Sequence, residues 1–243
     1  DVIVTDNGFL TDTQTLTITV TDVNEAPVIS SNGGGDTDSD SFAENATSEV
    51  TTVTSDDVDE NSTATYSIGG ADSDDFAIDS STGVLTFANT PDFENATDVG
   101  GDNIYIVDVI VTDNGFLTDT QTLTITVTDV NEDPTDIDLT SSTVDENESP
   151  GTTVGALSSI DVDAGDSHTY SLVAGPGDTD NSSFDISGSD LVTDEAFNFE
   201  AENSYSILIR TTDSGTLTYD ESFTITIADV NEAPVISSNG GGD

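Results

Sequence analysis

The chain has 243 residues with Asp+Glu at 50 against a single Lys+Arg, a formal net charge of -49. Nucleic-acid binding through phosphates, which needs clustered Lys and Arg, and adsorption to an anionic leaflet, which needs a polybasic segment, are therefore both excluded. Cys is absent, which removes disulfides, thiolate zinc sites and iron–sulfur clusters and leaves hard oxygen ligands for any metal chemistry.

No apolar run approaches the roughly 20 residues of a membrane span, so no direct membrane insertion is expected of this segment. The opening DVIVTDNG has neither the basic nor the apolar region of an export signal, and any such signal is expected outside the fragment. In chain order, DVIVTD and QTLTITVTD come first and alternate apolar with polar residues, the period of a half-buried strand. ATYSI (Tyr66, Ile68), FAID (Phe76, Ile78) and GVLTF (Leu85, Phe87) follow as short strands. Val107, Val109 and Val111, then Leu123, Ile125 and Val127, give each of two longer strands one dry face. SHTYSL, FDIS and DLVT, with Ile207 and Ile209, repeat the series further on. About seven short strands per 100 residues, separated by Asp, Asn and Gly, predict an all-β fold of antiparallel Greek-key sandwiches. GGGDTDSD (33–40) reads as an acidic turn; Ser41 and Thr47 stand where a calcium helix–loop–helix needs Gly and Glu.

Residues 1–27 recur at 108–134 with one change, Ala26 to Asp133, a displacement of 107. DVNEAPVISSNGGGD occurs at 22–36 and again at 229–243. Units of this length can each own a core. The expected organisation is a tandem array: residues 1–24 as the C-terminal part of one repeat, 25–131 and 132–231 as complete repeats, and 232–243 as the start of another.

Acids spread for solubility alone would line the outward strand positions, but these are mostly Thr and Ser, and the acids cluster in loops near repeat boundaries. The first complete repeat has Glu44, Asp57, Asp59, Asp92, Glu94, Asp113, Asp129, Asn131 and Glu132. The next has Glu146, Asp161, Asp163, Glu200, Asp213, Asp229, Asn231 and Glu232, and the boundary before both has Asp22, Asn24 and Glu25. Loops at one end of a sandwich come together although distant in sequence. Like charges about 4 Å apart repel by roughly 1 kcal/mol in water and about 4 at an effective dielectric of 20, so such clusters call for cations. Calcium, with 6 to 8 oxygens in flexible geometry, suits them better than magnesium.

This order of motifs resembles the cadherin repeat family, particularly bacterial cadherin-like repeats. A Glu in the first strand, a DxD loop, a Tyr-bearing strand, F-x-I-D with a following Leu strand, an Asp-x-Glu loop, a late Asp and a linker ending in Pro occur in order as Glu44, Asp57 and Asp59, Tyr66, Phe76 to Asp79 with Leu85, Asp92 and Glu94, Asp113, and Asp129 through Pro134. Glu132 replaces the second linker Asp, the linker is one residue shorter before Pro, and Asn198 replaces the Asp of Asp-x-Glu. The resemblance implies calcium, up to about three ions per junction between repeats. For one junction it selects Glu44, Asp92, Glu94, Asp129 and Glu132 with Asp161, Asp163 and Asp213.

His168 is expected at the rim of the core and Arg210 on an outward face with Leu208 and Thr212. The sequence has no G-x-S-x-G, P-loop or H-E-x-x-H, and an enzyme is not expected. The expected role is a calcium-rigidified extracellular array, the stalk or adhesive region of a bacterial surface adhesin. Alternatives are a self-associating subunit of a filament, sheath or biofilm, and a spacer in a secreted polysaccharide-degrading enzyme. Candidate partners besides calcium are cell-surface polysaccharide and copies of the chain itself.

Overall fold

The computed structural model describes residues 1–234, which fall into two compact units divided after Val130. The expected start of a further repeat at 232–243 lies outside the described residues from 235 onward.

Unit 1 begins with β1 (Val2–Thr5) and β2 (Thr11–Gln14), an antiparallel hairpin. It continues through β3 (Val28–Ile29), β4 (Thr37–Ala43), β5 (Thr51–Thr52), β6 (Ser55–Asp56), β7 (Thr65–Gly69), β8 (Phe76–Ile78), β9 (Val84–Phe87), β10 (Ile104–Thr112) and β11 (Thr118–Thr128). The main sheet has the order β4-β11-β10-β7; β5-β9-β8 and β3-β6 form two smaller sheets. Period-2 alternation places Val107, Val109, Val111, Leu123, Ile125 and Val127 in the core with Tyr105 and Leu85. Burying each such side chain is worth about 1.5–3 kcal/mol. The Phe87 ring meets Phe76 at 4.5 Å and Tyr105 edge-on at 5.2 Å. β1 and β2 pair in the register of their sequence twins: Val2 faces Gln14 as Val109 faces Gln121. The shared turn sets that register locally, although Val2, Val4, Leu16, Ile18 and Val20 are exposed in this first copy.

Unit 2 consists of β12 (Asp136–Leu139), β13 (Thr143–Asp145), β14 (Thr153–Ile160), β15 (Thr169–Leu172), β16 (Phe184–Ser187), β17 (Asp190–Thr193), β18 (Ser204–Thr212) and β19 (Thr218–Ala228). Two four-stranded sheets, β13-β19-β18-β15 and β12-β14-β17-β16, enclose a core of Ile207, Ile209, Ile225, Ile227, Leu191, Tyr205 and their neighbours.

Two expectations change, and a third holds with a difference. The pairings are not all antiparallel: β4 runs parallel to β11, Thr122 opposite Thr37 through Thr128 opposite Ala43, and β13 runs parallel to β19. The acidic turn at 33–40 is a short 3-10 turn (Asn32–Gly34) followed from Thr37 by strand, because alternating Thr and Ser complete the edge of the main sheet. Leu208 does point outward but is buried, because the loop after β15 folds back over it: Val173 N–H donates to the Leu208 carbonyl, and Leu208 N–H to Asn181 Oδ1 at 2.9 Å.

Candidate metal centres

At one end of each unit the first-strand glutamate turns inward. In unit 1, Glu44 follows β4 and precedes Asn45, whose φ of 58° is left-handed, a conformation Asn tolerates better than most residues. The buried Glu44 carboxylate accepts from Phe93 N–H at 2.7 Å through one oxygen and from Val130 N–H at 2.8 Å through the other. Glu146 does the same in unit 2, with Phe199 N–H and Val230 N–H both at 2.9 Å and Asn147 at φ 61°. These bonds, Val230 first and then Phe199, hold the Glu146 carboxyl below the usual range against its burial. One oxygen each of Glu146, Glu200, Asp229 and Glu232 lie within 4.8 Å of one another. Glu44, Glu94 and Asp129 converge likewise in unit 1.

Asp92 is not drawn into these groups. Its Oδ1 accepts from Asn95 N–H at 3.0 Å, as Asn198 Oδ1 accepts from Ala201 N–H at 3.1 Å. Charged or neutral, the side chain at this position caps a turn.

A second kind of acid group, including the DxD loop, receives the linker. In unit 2, Glu132 N–H donates to Asp163 Oδ2 at 2.9 Å and the Asn131 amide to Asp213 Oδ2 at 2.9 Å. In unit 1, Glu25 N–H donates to Asp59 at 2.8 Å and Asn24 to Asp113 at 2.7 Å. The hairpin glycine makes room: a Cβ on Gly215 would collide with the Asn131 side chain, and one on Gly115 with Asn24. Asp213 is buried, which favours its protonated form, but the Asn131 amide and the N–H groups of Leu217, Thr216 and Gly215 outweigh this and hold its carboxyl low. Ser62 Oγ, 2.6 Å from Asp57, and Asp59 N–H hold Asp57 low. Glu25 is pushed up, first by sharing a hydrogen bond with the Asp59 carboxylate, with Asp22 and Asp57 adding repulsion.

Asp57, Asp59 and Asp113 form one close group, Asp22, Glu25 and Asp59 another, and Asp161, Asp163 and Asp166 a third. Asp163 is 8% exposed and its Oδ1 is buried without a hydrogen-bond partner. Asn231 has no described place in any of these groups. The sequence reading missed Asp166, whose signal is a third acid three residues past the DxD pair, where unit 1 has Ser62. It also missed that His168 is tied to the site: its Nε2 lies 2.9 Å from Asp161 Oδ2, because the loop folds back over seven residues. Arg210, outward as expected, forms a two-pronged pair with Asp220 at 2.6 and 2.8 Å.

Residues 39–128 match the model of the cadherin domain family. Among curated proteins, Protocadherin Fat 4 of Mus musculus is 31% identical over 136 residues, covering 53% of this chain and 3% of its own length; that of Homo sapiens is 29% identical over the same share. Among solved structures, the protocadherin GammaB4 extracellular domain is 32% identical over 87% of this chain and 34% of its own, with a TM-score of 0.61. Human protocadherin-24 EC1-2 shares the fold at 20% identity and a TM-score of 0.64, covering 85% of this chain and 100% of its own. The chain thus carries a cadherin-like sandwich, and its residues 39–128 match the cadherin domain model.

Proposed function

We propose that the chain is a calcium-binding, extracellular adhesion-type repeat segment, stiffened by the ion and serving as a stalk or adhesive region. The observation that carries this is the buried, unpartnered Asp163 oxygen among Asp161, Asp166 and the docked linker. An isolated buried carboxylate is costly unless a cation meets it, and the chain's one Arg is paired with Asp220. Calcium fits because it accepts many oxygens in loose geometry, and modules of this kind bind it at 10⁻⁴–10⁻³ M, a range found outside cells. In unit 2 the proposed ligands are Asp161, Asp163, Asp166, Asp213 and Glu132 at one end and Glu146, Glu200, Asp229 and Glu232 at the other. In unit 1 they are Asp22, Glu25, Asp57, Asp59 and Asp113, and Glu44, Glu94 and Asp129. Backbone carbonyls near Asn24, Asn131 and Asn231 complete the shells.

The extracellular reading draws on the cadherin match. The curated relatives are animal proteins, so a bacterial surface adhesin is supported by the sequence resemblance alone.

The expected result is saturable calcium binding and a rise in melting temperature with calcium, which follows from any ligand that prefers the native state, with magnesium substituting poorly. Asp163→Asn is expected to weaken binding at its cluster about tenfold or more, about 1.4 kcal/mol. Calorimetric titration of both proteins beside their thermal melts decides, and an unaltered chain whose titration and melting temperature are both indifferent to calcium would sink the proposal.

A further inference from the structure

Asn-Gly pairs occur at 7–8, 32–33, 114–115 and 239–240, and the first three lie among the described residues. Asparagine is chemically labile: its side-chain amide can be attacked by the backbone nitrogen that follows it, and glycine, with no Cβ, hinders that attack least. The fold treats the three pairs differently. Asn32 is held at both ends of its amide, with Nδ2 donating to Gln121 Oε1 at 3.2 Å and Oδ1 accepting from Thr51 Oγ1 at 2.9 Å. Asn114 is exposed at the tip of the β10/β11 hairpin. The bonds that close its turn, Phe116 N–H to the Asp113 carbonyl at 3.2 Å and Leu117 N–H to Asp113 Oδ1 at 2.8 Å, use neither the Asn114 side chain nor the Gly115 nitrogen.

What packs against the turn also differs. Gly115 lies so close to the Asn24 side chain that a Cβ would collide with it, whereas a Cβ on Gly8, in the twin turn, would meet only the carboxylate of Asp6. In unit 2, Ser214 stands in the place of Asn114, its Oγ donating to Asp166 Oδ1 at 2.8 Å. A serine has no amide to lose.

We infer that Asn114 is a site of spontaneous covalent modification that releases the linker from unit 1. The Gly115 nitrogen gives its proton to a solvent base and bonds to Asn114 Cγ; the bond from Cγ to Nδ2 breaks, and that nitrogen takes a proton from water and leaves as ammonia. Water then opens the five-membered imide at either carbonyl. Breaking the bond to Cγ leaves Asp. Breaking the bond to the main-chain carbonyl carbon leaves isoaspartate, whose backbone runs through Cγ and is one atom longer. Nothing is oxidised or reduced, and water is the only co-reactant consumed. The extra atom moves Gly115 out of its fit against Asn24 and so draws the Asn24 amide off Asp113 Oδ2, which it meets at 2.7 Å. Glu25 N–H, docked on Asp59 at 2.8 Å, follows. The covalent step stands by itself; its effect on the ion rests on the calcium reading of Asp22, Glu25 and Asp59.

Incubating the full chain at mildly alkaline pH without calcium, with samples taken over days, tests both parts. Peptide mapping by mass spectrometry, with Asn7→Ser to silence the twin turn, is expected to find isoaspartate at 114 and none at 32. Hydrogen-exchange protection of the Glu25 amide should fall as isoaspartate accumulates. Calcium affinity in unit 1 should then drop about tenfold, about 1.4 kcal/mol, while unit 2 keeps its own. Asn114→Ser should prevent both changes, and Asn114→Asp, which adds the charge without the longer backbone, should keep Glu25 protected. An unreacted Asn114, an Asn32 that reacts as fast, or isoaspartate at 114 with Glu25 still protected would each overturn the inference. Lost protection with unchanged calcium affinity would instead count against the calcium reading of this cluster and leave the modification standing.

Discussion

Glu221 and Gln121 occupy the same place in the two units and show what one charge does at the margin of a lean core. Gln121 is fully buried and satisfied: its amide donates to the Gly35 carbonyl at 2.8 Å and its oxygen accepts from Asn32 at 3.2 Å. Glu221 is pushed up, first by burial and then by Asp136 and Asp138, against the one bond it accepts from Ile137 N–H at 3.1 Å. A carboxyl whose folded-state pKa exceeds its unfolded value supports the fold at acid pH and loses that contribution as pH rises through the folded-state value. Glu221→Gln is therefore expected to raise the melting temperature of unit 2 by a few degrees at neutral pH, where about 1 kcal/mol shifts a small domain by about 4–8 °C. The two proteins should melt alike once the pH falls below the carboxylate range. Calorimetric melts across pH check this, and an equal gap at all pH values would refute the account.

At the scale of the element, β10, β11 and β18 were legible from inward apolar residues at every second position, and Asp113 and Asp213 from the recurrence of acids in the loops near repeat boundaries. The parallel course of β4 was not legible: direction depends on which edge of the sheet a strand joins, and its alternating Thr, Ser and Asp fit either direction. Nor was the turn-capping role of Asp92, since a carboxylate in an acidic loop looks alike whether it faces an ion or a backbone N–H. The docked linker was hidden too, because it depends on Gly115 and Gly215 leaving room for an Asn from far along the chain. Gly215→Ala is accordingly expected to dislodge Asn131 and weaken calcium binding in unit 2 with little loss of its core stability; titration beside a thermal melt separates the two effects. The same turn holds Thr216 at φ 79°, an unfavourable conformation for a β-branched residue that costs about 1–3 kcal/mol. Thr216→Gly should stabilise the hairpin by about 1 kcal/mol, measured by denaturant unfolding, and no gain would mean the strain is absorbed elsewhere.

For the molecule as a whole, the excess of negative charge makes the fold depend on what dissolves around it, since self-repulsion weakens compact states and both salt and bound cations relieve it. The parallel pairings add a mechanical consequence. In unit 1 the first long strand, β4, lies beside the last, β11, over the register from Thr37/Thr122 to Ala43/Thr128, whereas β13 and β19 of unit 2 share only Thr143/Thr226 to Asp145/Ala228. Tension applied along the chain pulls such neighbours past each other lengthwise, so their hydrogen bonds must break together and not one at a time. The longer ladder makes unit 1 the stronger link, and stretching single chains should extend unit 2 at the lower force.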